Sequence, residues 1–241
     1  MKYIRKQREP KEFIDWKAKA SADWQPTFDN LRGSPTGVDD IVKQALILEQ
    51  GGICCYCEQQ ITMDNSHIEH FLPRKFYPKE TADYNANSLD YDNLLCSCIK
   101  EPCKNIDTHC GHYKDRNERY DRSLYEKKIL ISPLDSSCEQ RFKYVKGKGT
   151  IEPVHKNDIA AEKTIYQLGL NNGDLPERRK QIIDIFNGAG RDPLTEADID
   201  DFTVDDQRKY AERYLLPDEE DGSFNEFWTT IQYLLKQLPP S

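Results

Sequence analysis

Cysteine and histidine, the residue types that bind zinc, are concentrated in one part of this chain. Seven of the eight cysteines and four of the five histidines lie within residues 54–114. Cys54 and Cys57 are three positions apart, a spacing that suits two thiolates on one tetrahedral zinc ion. The amino-terminal segment is charged and lacks the apolar run of a secretory signal. We therefore expect a cytoplasmic protein whose cysteines bind metal in preference to forming disulfides.

A carboxylate and an imidazole that follow this cysteine pair could carry out hydrolysis. His70 is a candidate general base, because imidazole titrates near neutral pH. Its neighbour Glu69 could hold a hard divalent ion, Mg²⁺ or Mn²⁺, through oxygen. Adjacent strand residues point to opposite faces, so these two side chains share one site only if the strand is twisted or bulged. His67 would lie on the face of Glu69, either beside the metal or supporting one of its ligands.

The order of these motifs resembles that of HNH nucleases, the ββα-metal finger. Residues 50–54 (Gln-Gly-Gly-Ile-Cys) and 69–74 (Glu-His-Phe-Leu-Pro-Arg) are similar in particular to PtuB-like HNH proteins of Septu and retron anti-phage systems. The resemblance extends over residues 2–171. It implies a metal-dependent nuclease that hydrolyses phosphodiester bonds in DNA or RNA. It also implies a separate ABC-type, PtuA-like ATPase as partner, alone or within a retron complex.

The resemblance also assigns the remaining ligands of a structural zinc ion. The number of residues between Asn93 and Cys98 is the one usual in the family, which makes Cys98 the third ligand. The fourth ligand is Cys110 if residues 99–109 are an insertion, as the family's lysine at position 114 suggests. Cys96 and Cys103 remain alternatives for this last ligand. The predicted zinc ligands are Cys54, Cys57, Cys98 and Cys110.

The catalytic assignment is less regular at its carboxy-terminal end. Asn93 resembles the middle residue of the family motif and would orient the base or give an oxygen to the metal. Many family members have Cys-His-x-x-Lys or Cys-Asn-x-x-Lys, whereas this chain has Cys-Gly-His-Tyr-Lys at 110–114. The histidine is therefore displaced by one position, and His109 could substitute for it. The predicted catalytic residues are His70, Glu69, Asn93 and His112, the last three also binding the catalytic divalent ion.

The elements that must position these residues are predicted to form an α+β protein, with a small zinc-stabilised ββα-metal (HNH) finger embedded in a mainly helical chain. Apolar spacing predicts a helix over 39–50 that ends at two glycines. Residues 53–75 are predicted as the paired strands of the finger and 76–92 as a loop. The predicted segments are an arm and helix (1–52), the nuclease core with its zinc knuckle (53–125), a β-hairpin and helices completing the core (126–190), and an acidic segment with a carboxy-terminal helix for partner binding (191–241).

Secondary structure after the cysteines is predicted from shorter signals. Residues 128–132 and 142–145 favour strands, and the glycine-containing turn at 146–149 leads into a further strand. Asp158 is a candidate helix cap. Two later helices are predicted to begin with capping boxes, one formed by Asp174 with Glu177 and one by Ser223 with Glu226.

Charge is unevenly distributed along the chain, whose net charge is −8. Residues 192–221 carry a net charge of −9, which leaves the rest of the chain at +1. Basic residues at the amino terminus and after the cysteines therefore permit a surface that faces phosphates. No apolar run is long enough for a membrane span. The chain has no P-loop, so an ATP-dependent step requires another polypeptide.

A zinc knuckle alone does not establish catalysis, since most four-cysteine zinc sites are closed and structural. The alternative is a non-catalytic zinc-binding module that docks onto an ATPase partner. The pair Glu69-His70 favours the nuclease, because a purely structural finger does not require it. Nothing in the sequence distinguishes DNA from RNA, including tRNA, as substrate.

Overall fold

The computed structural model describes residues 1–79, 81–99, 109–116, 118–191, 198–200 and 203–240. These residues combine helices with short pairs of antiparallel strands, in keeping with the predicted α+β class. Within these ranges no helix is long and apolar enough to cross a bilayer. The helices are α1 (Lys11–Lys17), α2 (Phe28–Leu31), α3 (Val38–Glu49), α4 (Ala82–Ser88), α5 (Cys110–Lys114), α6 (Arg122–Glu126), α7 (Ile159–Leu168), α8 (Leu175–Phe186), α9 (Val204–Leu215) and α10 (Trp228–Leu235). The strands are β1 (Ser66–His70), β2 (Leu94–Cys98), β3 (Phe142–Tyr144), β4 (Ile151–Pro153), β5 (Ala189–Arg191) and β6 (Asp198–Asp200).

Helix α3 leads directly into the cysteine-rich turn, as its apolar spacing predicts. Val42 and Leu46 are fully buried in the main core. Two glycines with φ of 65° and 69°, at positions 51 and 52, end the helix in a conformation that glycine adopts readily. The side-chain amide of Gln50 then bonds the backbone oxygens of Ile53 and Cys96 at 2.9 and 2.8 Å. The end of α3 is thereby attached to strand β2.

The central strand pair differs from the prediction of paired strands within 53–75. Strand β1 pairs with β2, and His67 lies opposite Ser97 while His70 lies opposite Leu94. Residues 53–65 form turns with one isolated bridge between Ile53 and Gln60. The segment 76–92, predicted as a loop, contains α4, whose first turn is capped by the Thr81 hydroxyl. The strand that pairs with β1 therefore comes from beyond this helical insertion.

In the second half of the chain, some of the predicted strands and helix caps are present and others are absent. Strands β3 and β4 form the predicted hairpin, but residues 128–132 are not a strand. Asp158 caps α7 by accepting a hydrogen bond from the Ala161 amide. The capping box at Asp174 is absent, because its side chain makes no cap hydrogen bond.

The carboxy-terminal helix packs on the protein's own core instead of presenting its apolar side to solvent. Phe227 and Ile231 are 1% and 0% exposed. The hydroxyl of Thr229 donates to the carboxylate of Glu58, next to the cysteine turn. Glu226 forms no capping box, since α10 begins at residue 228, and its carboxylate pairs with Arg178. A partner-binding role for 191–241 stays a prediction. Within this segment, residues 216–222 are exposed.

Candidate metal centre and catalytic cleft

Four buried cysteines bring their sulfur atoms together beside the β1–β2 pair. The Sγ atoms of Cys54, Cys57, Cys98 and Cys110 all lie within 4.8 Å of one another. Two of the separations are 3.8 Å (Cys54 to Cys110) and 3.6 Å (Cys57 to Cys98). Thiolates at about 2.3 Å from one tetrahedral zinc ion stand about 3.8 Å apart. The donor set and its spacing therefore fit zinc, and Cys110 is the fourth member of the group.

Three separate elements carry these cysteines. Cys54 and Cys57 lie on the turn after α3, Cys98 ends β2, and Cys110 begins α5. Cys110 has a φ of 62°, an uncommon conformation for a residue other than glycine. The backbone amide of Cys98 donates to Cys54 Sγ at 3.3 Å. Such amide–sulfur bonds stabilise thiolates, which zinc requires as ligands.

The other cysteines and one histidine have different surroundings. His109 is buried, with Nδ1 at 3.2 Å from Cys110 Sγ and 3.6 Å from Cys98 Sγ, so it supports the sulfur cluster. Cys55 and Cys96 are buried outside the group of four. Cys138 contacts the backbone of Met1. Cys103, the other alternative zinc ligand, lies outside the described residues.

Strand β1 also borders an open cleft of about 450 Å³. His67, Glu69 and His70 all line this cleft, so two adjacent residues of one strand reach the same opening. A neighbouring cleft of about 550 Å³ shares His70 and Arg74 with it. The cleft also receives His112, Arg116 and Asp115. Imidazole, carboxylate and guanidinium groups thus meet at one surface depression.

The carboxylate of Glu69 is buried and fully paired on one oxygen. Its Oε1 accepts a hydrogen bond from the Tyr56 hydroxyl at 3.0 Å and lies 2.9 Å from Lys114 Nζ. Burial alone would raise the pKa of Glu69, but the Lys114 ammonium and His67 outweigh it and lower the pKa to about 2. The carboxylate is therefore negative at neutral pH. Its second oxygen, Oε2, faces His67.

The sequence indicates Lys114 only as the lysine of the family motif. In the structure it makes several contacts within the site. Its ammonium is completely buried, and it also donates to the His70 carbonyl at 2.8 Å. The ion pair thus fixes both the carboxylate of Glu69 and the backbone of the neighbouring histidine. The retained spacing of a lysine four residues after Cys110 is the signal that could have identified it.

We expect Lys114→Met to lower the free energy of unfolding by about 3–5 kcal/mol, because it leaves the Glu69 carboxylate buried without a counter-ion. Urea unfolding followed by circular dichroism measures the loss. The matched control is Lys127→Met, at an exposed lysine, with an expected change below about 0.5 kcal/mol. Equal stability of the Lys114 variant and wild type would show that the pair contributes nothing. The double variant with Glu69→Gln should recover part of the loss.

His70, the residue after Glu69 in β1, is held in one tautomer. Its Nε2 lies 3.0 Å from the carbonyl oxygen of Ser88 in α4. A carbonyl only accepts, so Nε2 carries the proton and Nδ1 keeps a lone pair. Burial lowers the pKa of His70 to about 4. The ring of Phe28 packs edge-on against it at 4.5 Å between centroids, so the imidazole is neutral and fixed.

Asn93 braces the chain that follows His70. Its Oδ1 accepts from the Leu72 amide at 2.8 Å, and its Nδ2 donates to the Leu72 carbonyl at 3.0 Å. Nδ2 also lies 3.2 Å from the backbone oxygen of Asn87. These contacts engage both ends of the amide, and the role of Asn93 toward the base or the metal stays a prediction.

Glu69, Asn93 and His112 stay a prediction as ligands of the catalytic ion. Within the described ranges, the four cysteines are the one group of three or more histidine, cysteine or acidic residues whose ligand atoms lie within 4.8 Å. His112 stacks on His67 with ring centroids 3.9 Å apart. His67, left between two roles by the sequence, has its Nε2 at 3.5 Å from Oε2 of Glu69.

Four thiols and a carboxylate–histidine cleft define a candidate zinc-binding protein with a hydrolytic type of site. The chain is similar to "Retron Vc95 putative HNH endonuclease" of Vibrio cholerae serotype O1 biovar El Tor, with 32% identity over 61% of this chain and 65% of the relative. It is 27% identical to "Retron Ec83 putative HNH endonuclease" of Escherichia coli, over 80% of this chain and 83% of the relative.

A third relative has a different name. It is "Septu protein PtuB" of Bacillus thuringiensis, 22% identical over 78% of this chain and 67% of the relative. No family model matches the chain. The chain spans slightly less than two thirds of the Vibrio protein's length. The resemblance to retron and Septu HNH proteins that the motifs predicted is confirmed by these relatives.

Proposed function

We propose that this chain is a metal-dependent nuclease of the HNH type that hydrolyses phosphodiester bonds in anti-phage defence. The observation that carries the proposal is the cleft at β1, where a negative Glu69 and a neutral His70 lie beside Arg74. Two relatives named as HNH endonucleases support the same activity. A purely structural zinc module requires none of these three side chains.

In this proposal His70 is the general base. Its Nε2–H is held by the Ser88 carbonyl, so Nδ1 is the atom that accepts a proton from water. Asn93 keeps the following backbone in place through its bonds to Leu72. Lys114 holds the β1 backbone by donating to the His70 carbonyl. These contacts restrict the motion of the base, which favours a productive geometry.

The charged groups of the cleft suit a phosphate-bearing substrate. Mg²⁺ or Mn²⁺ bound at Glu69, with Asn93 and His112 as its other predicted ligands, would supply positive charge for the phosphate oxygens in the transition state. Arg74 and Arg116 line the same cleft, and Lys75 and Lys79 line its neighbour. Cationic side chains of this kind bind the phosphates of nucleic acids whatever their sequence. The substrate is therefore proposed as DNA or RNA without a stated sequence.

A separate ATPase is the proposed partner, by analogy with the Septu relative. The absence of a P-loop in the sequence supports a second polypeptide for any ATP-dependent step. The exposed, acidic residues 216–222 are the proposed contact, because a surface of this charge repels nucleic acid and suits a basic protein face. The proposed location is the cytoplasm.

Cleavage assays on the zinc-loaded protein test this function. Duplex DNA, single-stranded DNA and RNA, and tRNA are incubated with the protein alone and with a candidate ABC-type ATPase partner. We expect cleavage of at least one substrate in Mn²⁺ or Mg²⁺ and none in EDTA at a concentration that leaves zinc bound. If no substrate is cut in the presence of the partner, the proposal is wrong. Co-purification with the ATPase would then favour the non-catalytic zinc module.

A further inference from the structure

The hydrogen bonds of His67 leave two lone pairs facing each other. Its Nδ1 lies 2.8 Å from the carbonyl oxygen of Ile99, which can only accept, so Nδ1 carries a proton. The other nitrogen, Nε2, is 3.5 Å from Glu69 Oε2. In the neutral imidazole both of these atoms are acceptors. A cation, either a proton or a metal ion, must therefore lie between them for the contact to be favourable.

The same arrangement is the usual environment of a metal-binding histidine. Histidines that bind metal through one nitrogen commonly donate the other N–H to a backbone carbonyl or carboxylate. Ile99 has a φ of 67°, which is unusual and strained for a β-branched residue. That strained backbone presents the carbonyl to Nδ1. The stack with His112 fixes the ring from its flat side.

The spacing of the two acceptors suits one shared ion. An ion about 2.1 Å from both atoms would hold them about 3.0–3.5 Å apart, and the observed separation is 3.5 Å. Oε2 is the carboxylate oxygen that Lys114 and Tyr56 leave unpaired, since both contact Oε1. The His67 side chain is 17% exposed, so the pair is open to the cleft.

Gly111 keeps this pair accessible. A Cβ atom at position 111 would lie 2.4 Å from Glu69 Oε2 and 2.8 Å from His67 Nε2. Any side chain there would therefore displace the carboxylate or the imidazole. In this chain a glycine at that position makes room, and a histidine from strand β1 occupies the space next to Glu69.

We infer that His67 Nε2 and Glu69 Oε2 together bind one divalent transition-metal ion, with Mn²⁺ preferred to Mg²⁺. The inference rests on the proposed nuclease function for its role, and it assigns a ligand that the motif places elsewhere. Mg²⁺ binds almost entirely through oxygen, whereas imidazole nitrogen suits transition metals. His112 stacks on the ring of His67.

Electron paramagnetic resonance of Mn²⁺ added to the zinc-loaded protein tests the assignment without any cleavage assay. Wild type should bind one Mn²⁺ and show the electron spin-echo modulation of a directly bound imidazole nitrogen. His67→Phe keeps a ring for the stack with His112 but removes both nitrogens. We expect it to lose the nitrogen modulation and to weaken Mn²⁺ binding at least tenfold, while zinc stays at about one ion per chain. His67→Gln is the second variant, should the phenylalanine disturb folding.

Matched controls separate the two stacked histidines. His112→Phe should keep the nitrogen modulation, and His155→Ala, at an exposed histidine far along the chain, should behave as wild type. If the modulation survives in both His67 variants, or disappears in His112→Phe, the inference is wrong. Wild type without nitrogen modulation would show that a proton, not a metal ion, bridges the pair.

The test also distinguishes this inference from the proposed function. Mn²⁺ bound through His67 in a protein that cleaves nothing would support the metal site and overturn the nuclease. Metal-dependent cleavage with no nitrogen modulation would support the nuclease and overturn the ligand assignment.

Discussion

Cys57→Ser is expected to reduce bound zinc from about one ion per chain to near zero and to destabilise the fold. Cys57 is buried at 3% exposure, and its Sγ lies 3.6 Å from that of Cys98. Zinc binding supplies about 10–16 kcal/mol to small zinc peptides. Because part of this fold has its own hydrophobic core, we expect a smaller effect here, a decrease of more than about 3 kcal/mol in the free energy of unfolding. Elemental analysis and urea unfolding measure the two effects.

The neighbouring Cys55 provides the control for this substitution. It is equally buried but lies outside the group of four sulfur atoms. Cys55→Ser should therefore keep its zinc, with only the modest destabilisation that a buried hydroxyl causes. Full zinc retention in a well-folded Cys57→Ser protein would contradict the assignment. Zinc loss in both variants would indicate general unfolding instead of the loss of a ligand.

His70→Ala is expected to reduce the single-turnover rate of cleavage by 10²–10⁴-fold, the usual contribution of a general base. Zinc content should be unchanged, since no sulfur ligand is touched. His155→Ala, at an exposed position, is the control and should cleave at the wild-type rate. A wild-type rate in the His70 variant would show that another group activates the water.

The pH dependence of cleavage gives a second measurement of the same residue. Burial lowers the pKa of His70 to about 4. The neutral base is therefore fully present above that pH and is lost only as the pH falls through about 4. The single-turnover rate should stay level from pH 8 to about 5. A decline centred near pH 6.5, the ordinary value for histidine, would show that His70 is not the base or is not buried during the reaction.

Spacing along the chain predicted part of what the structure shows. Cys54 and Cys57 form a pair by their spacing, and the family pattern added Cys98 and Cys110, all four of which the structure brings together. The period of two along a strand correctly placed His67 on the face of Glu69. The helix that leads into the knuckle was predicted within one residue at each end. These features depend on neighbours along the chain, which a sequence displays directly.

Elements whose partners lie far along the chain were predicted less well. Strand β1 pairs with β2 across an insertion that contains α4, and no local signal specifies a strand's partner. Ser223 and Glu226 have the spacing of a capping box, but the pairing of Glu226 with Arg178 prevails over it. The aromatic side of the last helix could equally have faced a partner. Its burial is decided by contacts such as Thr229 with Glu58.

The sequence by itself predicted the four cysteines that the structure brings together, and it made Glu69 and the nearby histidines the candidates for hydrolysis. Only the tertiary structure decided how each behaves. The buried Lys114 sets the charge of Glu69, the Ser88 carbonyl sets the tautomer of His70, and Gly111 leaves room beside the carboxylate. The physical reason is that charge state, tautomer and access depend on burial and on groups that approach in space, whereas residue type and spacing are fixed along the chain.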